Sequence, residues 1–141
     1  MSWTAARESM ADNSEVRDDL RYTNNDEWAK AEGGNARVGI TDHAQHQLTD
    51  IVFVELSKVG TRVRRGDVIG QVESVKTVAA ISAPVGGEIV EVNAELEDAP
   101  QKFNESPYGD GWVAVIKMDD PSEYEGLLDA AGYRGKLNER D

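Results

Sequence analysis

Short apolar segments separated by glycine- and proline-containing turns make up most of the chain from residue 27 onward. Apart from the adjacent pair Ile89–Val90, residues 88–93 alternate apolar and polar side chains, which is typical of a strand with one buried face. Ile51–Leu56 and residues 68–73 are rich in β-branched residues, so we expect two further strands, the first of them buried. Two short runs on either side of Gly33–Gly34–Asn35 predict a hairpin. Residues 112–118 predict a last strand.

The same pattern predicts two helices. Thr41 is the expected N-cap of a short helix that ends at Leu48. Asp120 is followed by proline and, three positions on, by glutamate, which is a helix-start signature. We expect a C-terminal helix over residues 121–131 that ends at Gly132. The fold class is therefore mainly β, with a short internal helix and a C-terminal helix.

The predicted core lies between the strands. Its members are the apolar residues of the strands predicted over residues 68–73 and 88–93: Val68, Ile69, Val72, Ile89, Val90 and Val92.

Charge and composition exclude several functions. The chain has 15 Lys and Arg residues against 27 Asp and Glu residues, which gives a net charge of −12. Such a charge repels phosphate backbones and anionic lipid, so we expect no binding to nucleic acid or membranes. No apolar run approaches the roughly 18 residues of a membrane span. Cysteine is absent, which excludes disulfides and Cys-type zinc sites and fits a reducing compartment.

The distribution of apolar residues divides the chain into three parts. Residues 1–20 carry little apolar pattern, and we expect a flexible N-terminal extension. This extension has neither the apolar core of a signal peptide nor the acid-poor composition of a mitochondrial transit peptide. We therefore expect a cytoplasmic bacterial protein rather than one of the mitochondrial matrix. One domain spans residues 21–136, and residues 137–141 form a tail.

Catalytic constellations are not visible in this sequence. His43 and His46 are three positions apart on the first predicted helix, but no third ligand follows from the spacing, so we expect no metal site. The main candidate for a functional residue is Lys76, which lies between two strand patterns. A lysine at a tight turn presents its amine to solvent on a rigid support. The pattern alone also fits an ordinary solubilising lysine.

Four segments, in one collinear order, resemble the glycine cleavage system H proteins. The resemblance covers roughly residues 21–136. The first two segments are residues 21–28 and residues 38–56. The third contains Glu73, Ser74, Val75 and Lys76 and continues with residues 83–93. The fourth is residues 104–112, which include Pro107, Tyr108 and Gly109. Several motifs in the same order are more specific than any one of them.

The resemblance implies a fold and a cofactor. The fold is the lipoyl/biotinyl-type barrel-sandwich hybrid, and lipoate is joined by an amide to Lys76. Glu73, Ser74 and Val75 are then the motif that lipoylation enzymes recognise. Glu27 lies in the cleft that shelters the loaded arm.

The resemblance also implies a function in glycine catabolism and one-carbon metabolism. The protein is a monomeric, non-catalytic carrier of the glycine cleavage system. It shuttles an aminomethyl group from glycine decarboxylase (P protein) to aminomethyltransferase (T protein), and electrons to dihydrolipoamide dehydrogenase (L protein). The cofactor supplies the covalent chemistry and the protein supplies position and protection.

Two positions depart from the usual family pattern. Asp26 stands where a histidine usually precedes the Glu-Trp pair, and Ala79–Ala80 replaces a Ser-Asp pair after the modified lysine. One hypothesis is that Asp26 restores the negative charge missing at Ala80.

Other carriers fit less well, and two functions stay open. Biotin carriers bracket their lysine with methionines, whereas Val75 and Thr77 flank Lys76 here. The lipoyl domains of 2-oxoacid dehydrogenases lack the C-terminal helical segment. An H-like protein that relays lipoate to other acceptors remains the main alternative. An interaction module without a cofactor is the other.

Overall fold

The computed structural model describes residues 14–139. Its strands are β1 Arg21–Tyr22, β2 Glu27–Glu32, β3 Asn35–Ile40, β4 Ile51–Leu56, β5 Arg62–Val63, β6 Val68–Ser74, β7 Val78–Ser82, β8 Gly87–Val92 and β9 Ala114–Met118. Its helices are α1 Asp42–Leu48, α2 Glu95–Asp98, α3 Lys102–Glu105, α4 Ser122–Glu125 and α5 Ala130–Glu139. The predicted mainly β fold with a short internal helix and a C-terminal helix is confirmed.

The strands form two antiparallel sheets. One has six strands in the order β1-β2-β3-β9-β8-β5, and the other has three in the order β4-β6-β7. Side chains from both sheets meet in one apolar cluster that includes Val38, Val54, Val72, Ile81 and Ile89. This arrangement agrees with the expected barrel-sandwich type of fold.

Local signals explain the first hairpin and helix. β2 and β3 pair with Glu32 opposite Asn35, and Gly33 in the turn has the positive φ of 65° that glycine tolerates. The Thr41 side chain accepts a hydrogen bond from the Ala44 N–H and caps α1, as predicted.

The predicted core was only partly right. Ile69, Val72 and Ile89 are buried, but Val68 is 57% exposed and Val90 is 37% exposed. Val92 is half-buried and packs against the core. The pairing register shifts between Val68 and Gly70 and again between Ile89 and Glu91. Each irregularity interrupts the alternation of side chains between the two faces, so a regular pattern mispredicts its neighbours.

Strand β4 is also less buried than predicted. Ile51 and Val54 are buried, whereas Val52 and Phe53 are each 53% exposed. The register between β4 and β6 shifts between Ile51 and Phe53, which places two successive apolar residues toward solvent.

The C-terminal helix differs from the predicted span of residues 121–131. Leu128 and Tyr22 exchange two backbone hydrogen bonds, 2.8 and 2.9 Å long, and this bridge separates α4 from α5. The Asp129 side chain then accepts the Gly132 N–H as α5 begins, so Gly132 lies inside a helix that it was expected to end. Leu137, assigned to the tail, is 1% exposed.

A second apolar cluster joins the C-terminal helix to the start of the domain. It contains Leu20, Tyr22, Trp28, Ala130, Tyr133 and Leu137. Leu20 was assigned to the flexible extension, yet it is 4% exposed. The Tyr108 hydroxyl also donates to the Glu15 carbonyl. Residues 1–13 of the predicted extension and 140–141 of the tail lie outside the described residues.

Candidate functional site

Lys76 occupies the turn between β6 and β7, and Ser74 holds this turn. The Ser74 hydroxyl oxygen accepts the Lys76 N–H at 3.1 Å and the Thr77 N–H at 3.0 Å. The Ser74 N–H donates to the Thr77 carbonyl at 2.8 Å. Ser74 itself is buried. Its side chain therefore fixes the backbone on both sides of an exposed lysine.

The neighbours of the turn face solvent. Val75 is 70% exposed, and its N–H donates to the Asp50 carbonyl at 3.0 Å, which ties the turn to the start of β4. Glu73 is exposed on β6, where its register partners are Phe53 and Val78. Of the three predicted recognition residues, Glu73 and Val75 are thus accessible and Ser74 is not.

The Lys76 side chain leans toward the end of α1. Its Nζ lies 3.5 Å from the Gln47 carbonyl oxygen, to which it donates. Gln47 in turn lines a cavity of about 180 Å³ between α1, the β2–β3 hairpin and the three-stranded sheet. Lys76 therefore lies near the rim of this cavity.

The cavity, called the cleft below, has apolar walls and an acidic end. Its apolar lining comprises Ile40, Ala44, Leu48, Val72, Ala79, Ala80 and Ile81. Asn25, Asp26 and Glu27 complete the lining. The structure therefore brings together Glu27 and both positions that depart from the family pattern, Asp26 and Ala80.

Glu27 is a buried carboxylate, 3% exposed. One oxygen accepts the Thr23 hydroxyl at 2.7 Å, and the other accepts the Ser82 N–H at 3.0 Å. Burial raises the pKa of Glu27 to about 7. The nearby Asp26 charge also raises this pKa, whereas the two hydrogen bonds lower it. A group with this pKa changes its charge near neutral pH.

The turn before β2 positions Glu27. Besides donating to the carboxylate, the Thr23 hydroxyl oxygen accepts the N–H groups of Asn25 and Glu27, each at 3.1 Å. Glu27 also borders a second cavity of about 290 Å³, whose wall includes Arg65. The carboxylate therefore lies between two cavities.

Asp26 is anchored by the C-terminal helix. Its backbone has a φ of 66°, and its carboxylate accepts the Tyr133 hydroxyl at 2.9 Å. Because the phenol proton points to Asp26, the Thr41 hydroxyl, 2.7 Å away, donates to the phenol oxygen. Burial raises the pKa of Tyr133, which keeps the phenol protonated. Tyr133 also stacks on Tyr22 with ring centroids 4.4 Å apart.

Sequence reasoning missed three contributors to this site. Ser82 acts through its backbone N–H, and Gln47 through its carbonyl, so neither side chain carries a signal. Tyr133 lies beyond the predicted end of the last helix. Within residues 14–139, no three His, Asp or Glu side chains cluster closely enough to hold a metal ion. In the same part of the chain, no helix is long and apolar enough to cross a membrane.

Comparisons with known proteins agree in both sequence and structure. The family model described as glycine cleavage H-protein matches residues 20–140. The glycine cleavage system H protein of Pseudoalteromonas atlantica is 53% identical over 127 residues, covering 89% of this chain and 98% of the relative. The probable glycine cleavage system H protein of Aeropyrum pernix is 50% identical over 125 residues, covering 89% of this chain and 87% of that relative.

A solved structure gives the same result. The crystal structure of a glycine cleavage system H protein from Mycobacterium marinum superposes with a TM-score of 0.78 at 40% sequence identity. The match covers 86% of this chain and 98% of that chain. Because the family model and these relatives span nearly the whole domain, the chain belongs to the glycine cleavage H-protein family.

Proposed function

We propose that this chain is the lipoyl-bearing carrier of a bacterial cytoplasmic glycine cleavage system, with lipoate attached to Lys76. As such it is a non-catalytic subunit that serves glycine decarboxylase, aminomethyltransferase and dihydrolipoamide dehydrogenase. The observation that carries the proposal is the pairing of an exposed lysine on a fixed turn with a cleft that contains a buried carboxylate, Glu27.

The cleft suits a lipoyl group. A hydrocarbon chain with a disulfide at its end is apolar, and the cleft walls are mainly aliphatic. The Lys76 amine lies 3.5 Å from the Gln47 carbonyl, beside the cleft rim. When bound, the lipoyl group supplies a disulfide that is reduced as it accepts the aminomethyl group. The residues of the chain bind and shield it.

Glu27 is the proposed partner for the cationic end of the loaded arm. An ammonium group beside this carboxylate favours its charged form and lowers its pKa from about 7. A charge-assisted hydrogen bond in a partly desolvated cleft is stronger than one in water. The carboxylate thus holds the cation, and the apolar walls keep bulk water from it.

The three residues before Lys76 have different proposed roles. Ser74 keeps the turn in one conformation through two accepted N–H groups. Glu73 and Val75 present charge and apolar surface to lipoylation enzymes. Recognition thus depends on exposed groups held by a buried one.

Mass spectrometry tests the attachment. The full chain purified from lipoate-producing cells should carry one lipoyl group, and Lys76→Arg should carry none. A wild-type chain of unmodified mass would contradict the proposal. Reconstitution with the three partner enzymes then separates this function from a lipoyl relay, because a relay protein would be lipoylated and yet fail to support glycine cleavage.

A further inference from the structure

The corner between α1 and β4 contains a strained residue. Thr49 has a φ of 64° and a ψ of −149°, at the edge of a region that essentially only glycine populates. Within residues 14–139, Asp26 is the other non-glycine residue with a positive φ. Aspartate tolerates such a φ, whereas a β-branched threonine adopts it only where the surrounding structure imposes it. The strain at Thr49 must therefore be maintained by other contacts.

Asn104 on α3 supplies these contacts. Its side-chain nitrogen donates to the Thr49 carbonyl at 2.7 Å and to the Gln45 side-chain oxygen at 3.0 Å. Its side-chain oxygen accepts the Ile51 N–H at 3.0 Å. Asn104 therefore clamps the chain before, at and after the strained residue.

Two carbonyls of the clamped corner contact the Lys76 turn. The Gln47 carbonyl accepts the Lys76 amine at 3.5 Å, and the Asp50 carbonyl accepts the Val75 N–H at 3.0 Å. Thr49 lies between these two acceptors in the chain, so its backbone conformation sets their relative direction. A change of Thr49 to a negative φ would turn at least one of the two carbonyls away from the lysine.

We propose that Thr49 and Asn104 are positioning residues for the lipoyl arm. This inference rests on the proposed attachment of lipoate to Lys76. An amide at the lysine nitrogen keeps one N–H, which is able to donate to the Gln47 carbonyl as the amine does. Because Gln47 also lines the cleft, a bond at this point directs the base of the arm to the cleft rim. Thr49 acts through Gln47, and Asn104 acts through Thr49.

The strain distinguishes this role from a purely structural one. If Asn104 only adds stability, replacing Thr49 by glycine does nothing for a chain that lacks the clamp. If Asn104 holds a strained corner, glycine removes the strain, and the corner keeps its conformation without the clamp. Thr49→Gly should therefore rescue the positioning defect of Asn104→Ala.

The test measures amide hydrogen exchange by NMR, first on the full-length unmodified chain. In Asn104→Ala, the Val75 N–H should exchange about tenfold faster than in wild type, because its bond to the Asp50 carbonyl opens more often. The double variant Thr49→Gly/Asn104→Ala should return this rate to within about threefold of wild type. In the lipoylated chain, the N–H of the Lys76 side-chain amide should show the same order of rates.

Asn93→Ala is the matched control. The Asn93 side chain is also a clamp, because it donates to the Asp110 and Trp112 carbonyls at 2.8 and 2.9 Å. It acts on the loop before β9 rather than on the corner. Asn93→Ala should therefore leave the exchange rate of the Val75 N–H within about twofold of wild type.

Three results would overturn this inference alone: a Val75 rate in Asn104→Ala equal to that of wild type, an equal acceleration in Asn93→Ala, or a double variant that exchanges as fast as Asn104→Ala. A wild-type chain that accepts no lipoate would overturn the proposed function and, with it, the role in positioning the arm. If Asn104→Ala does not fold, Asn104→Asp takes its place with the same expected order. It keeps an oxygen for the Ile51 N–H and loses the donor to the Thr49 carbonyl.

Discussion

The Lys76 turn and the Glu27 end of the cleft serve one proposed arm but are built in opposite ways. The Lys76 side chain is exposed and makes one long contact, 3.5 Å, with the Gln47 carbonyl. Glu27 is 3% exposed, and both of its carboxylate oxygens accept hydrogen bonds. At the turn the backbone is held and the side chain is left accessible. At the cleft the side chain itself is held.

The difference reflects two physical requirements. An attachment point must admit an enzyme, so its amine has to be exposed. A carboxylate that retains a cation acts more strongly where water is excluded, and burial then raises its pKa. Substitution of Lys76 should therefore change function without changing stability, whereas substitution of Glu27 should change both.

The largest expected effect is that of Lys76→Arg. Arginine keeps the positive charge but does not form the lipoyl amide, so activity in reconstituted glycine cleavage should be abolished. The free energy of unfolding should change by less than about 0.5 kcal/mol, because the side chain is exposed. Chemical denaturation and the glycine cleavage assay check the two parts. Residual activity would contradict covalent carriage by Lys76.

The turn was predictable from the sequence because its signals are local. Two strand patterns flank Lys76, and the residues that shape the turn are its immediate neighbours. At the cleft, Thr23 lies four residues before Glu27, but Ser82 reaches the carboxylate from 55 positions away. Tyr133 reaches Asp26 from 107 positions away. Such contacts depend on tertiary packing, which no local pattern encodes.

In the fold as well, features set by local signals were predicted and features set by distant contacts were not. Capping by Thr41 and the turn at Gly33 are local and were predicted. The exposure of Val90 follows from a register shift on β8, and the break in the C-terminal helix follows from the Leu128–Tyr22 bridge. Both features arise from pairing with a distant segment. Alternation and apolar spacing therefore predicted that elements exist and misjudged which faces they bury.

The second prediction concerns Glu27→Gln and pH. The pKa of Glu27 is about 7 in the folded state against an ordinary value of 4.5, so the folded state binds this proton more tightly. The stability contributed by the protonated form is complete below about pH 4.5 and is lost as pH rises through about 7. The variant should thus match wild type at pH 4.5 and exceed its stability by up to about 3 kcal/mol at pH 8.

Denaturant unfolding of the unmodified chain from pH 4.5 to 8 measures this difference. Glu73→Gln is the matched control, because Glu73 is an exposed carboxylate on β6, in the other sheet. The difference between Glu73→Gln and wild type measures the effect of losing an exposed carboxylate over the same range. A difference for Glu27→Gln that stays constant with pH would show that its carboxylate is not desolvated, and the contrast between turn and cleft would fail.

The smallest effects are expected at Asp26, where charge and anchoring can be separated. Asp26→Asn removes the charge but keeps an oxygen for the Tyr133 hydroxyl, and asparagine tolerates the φ of 66°. Its unfolding free energy should stay within about 0.5 kcal/mol of wild type. The lifetime of the loaded arm should shorten about twofold to fivefold, which corresponds to about 0.5–1 kcal/mol for a half-buried charge.

Tyr133→Phe makes the opposite change. It removes the bond to Asp26 and leaves the Thr41 hydroxyl without its phenol partner, so the chain should lose about 1–2 kcal/mol of stability. The Asp26 charge remains at the cleft because the backbone there keeps its own bond, from the Thr41 N–H to the Asp26 carbonyl at 3.0 Å. The lifetime of the loaded arm, measured by the release of formaldehyde, should therefore stay within about twofold of wild type. If Tyr133→Phe shortened the lifetime and Asp26→Asn did not, the position of the turn would matter and its charge would not. Asp26 would then not replace the charge missing at Ala80.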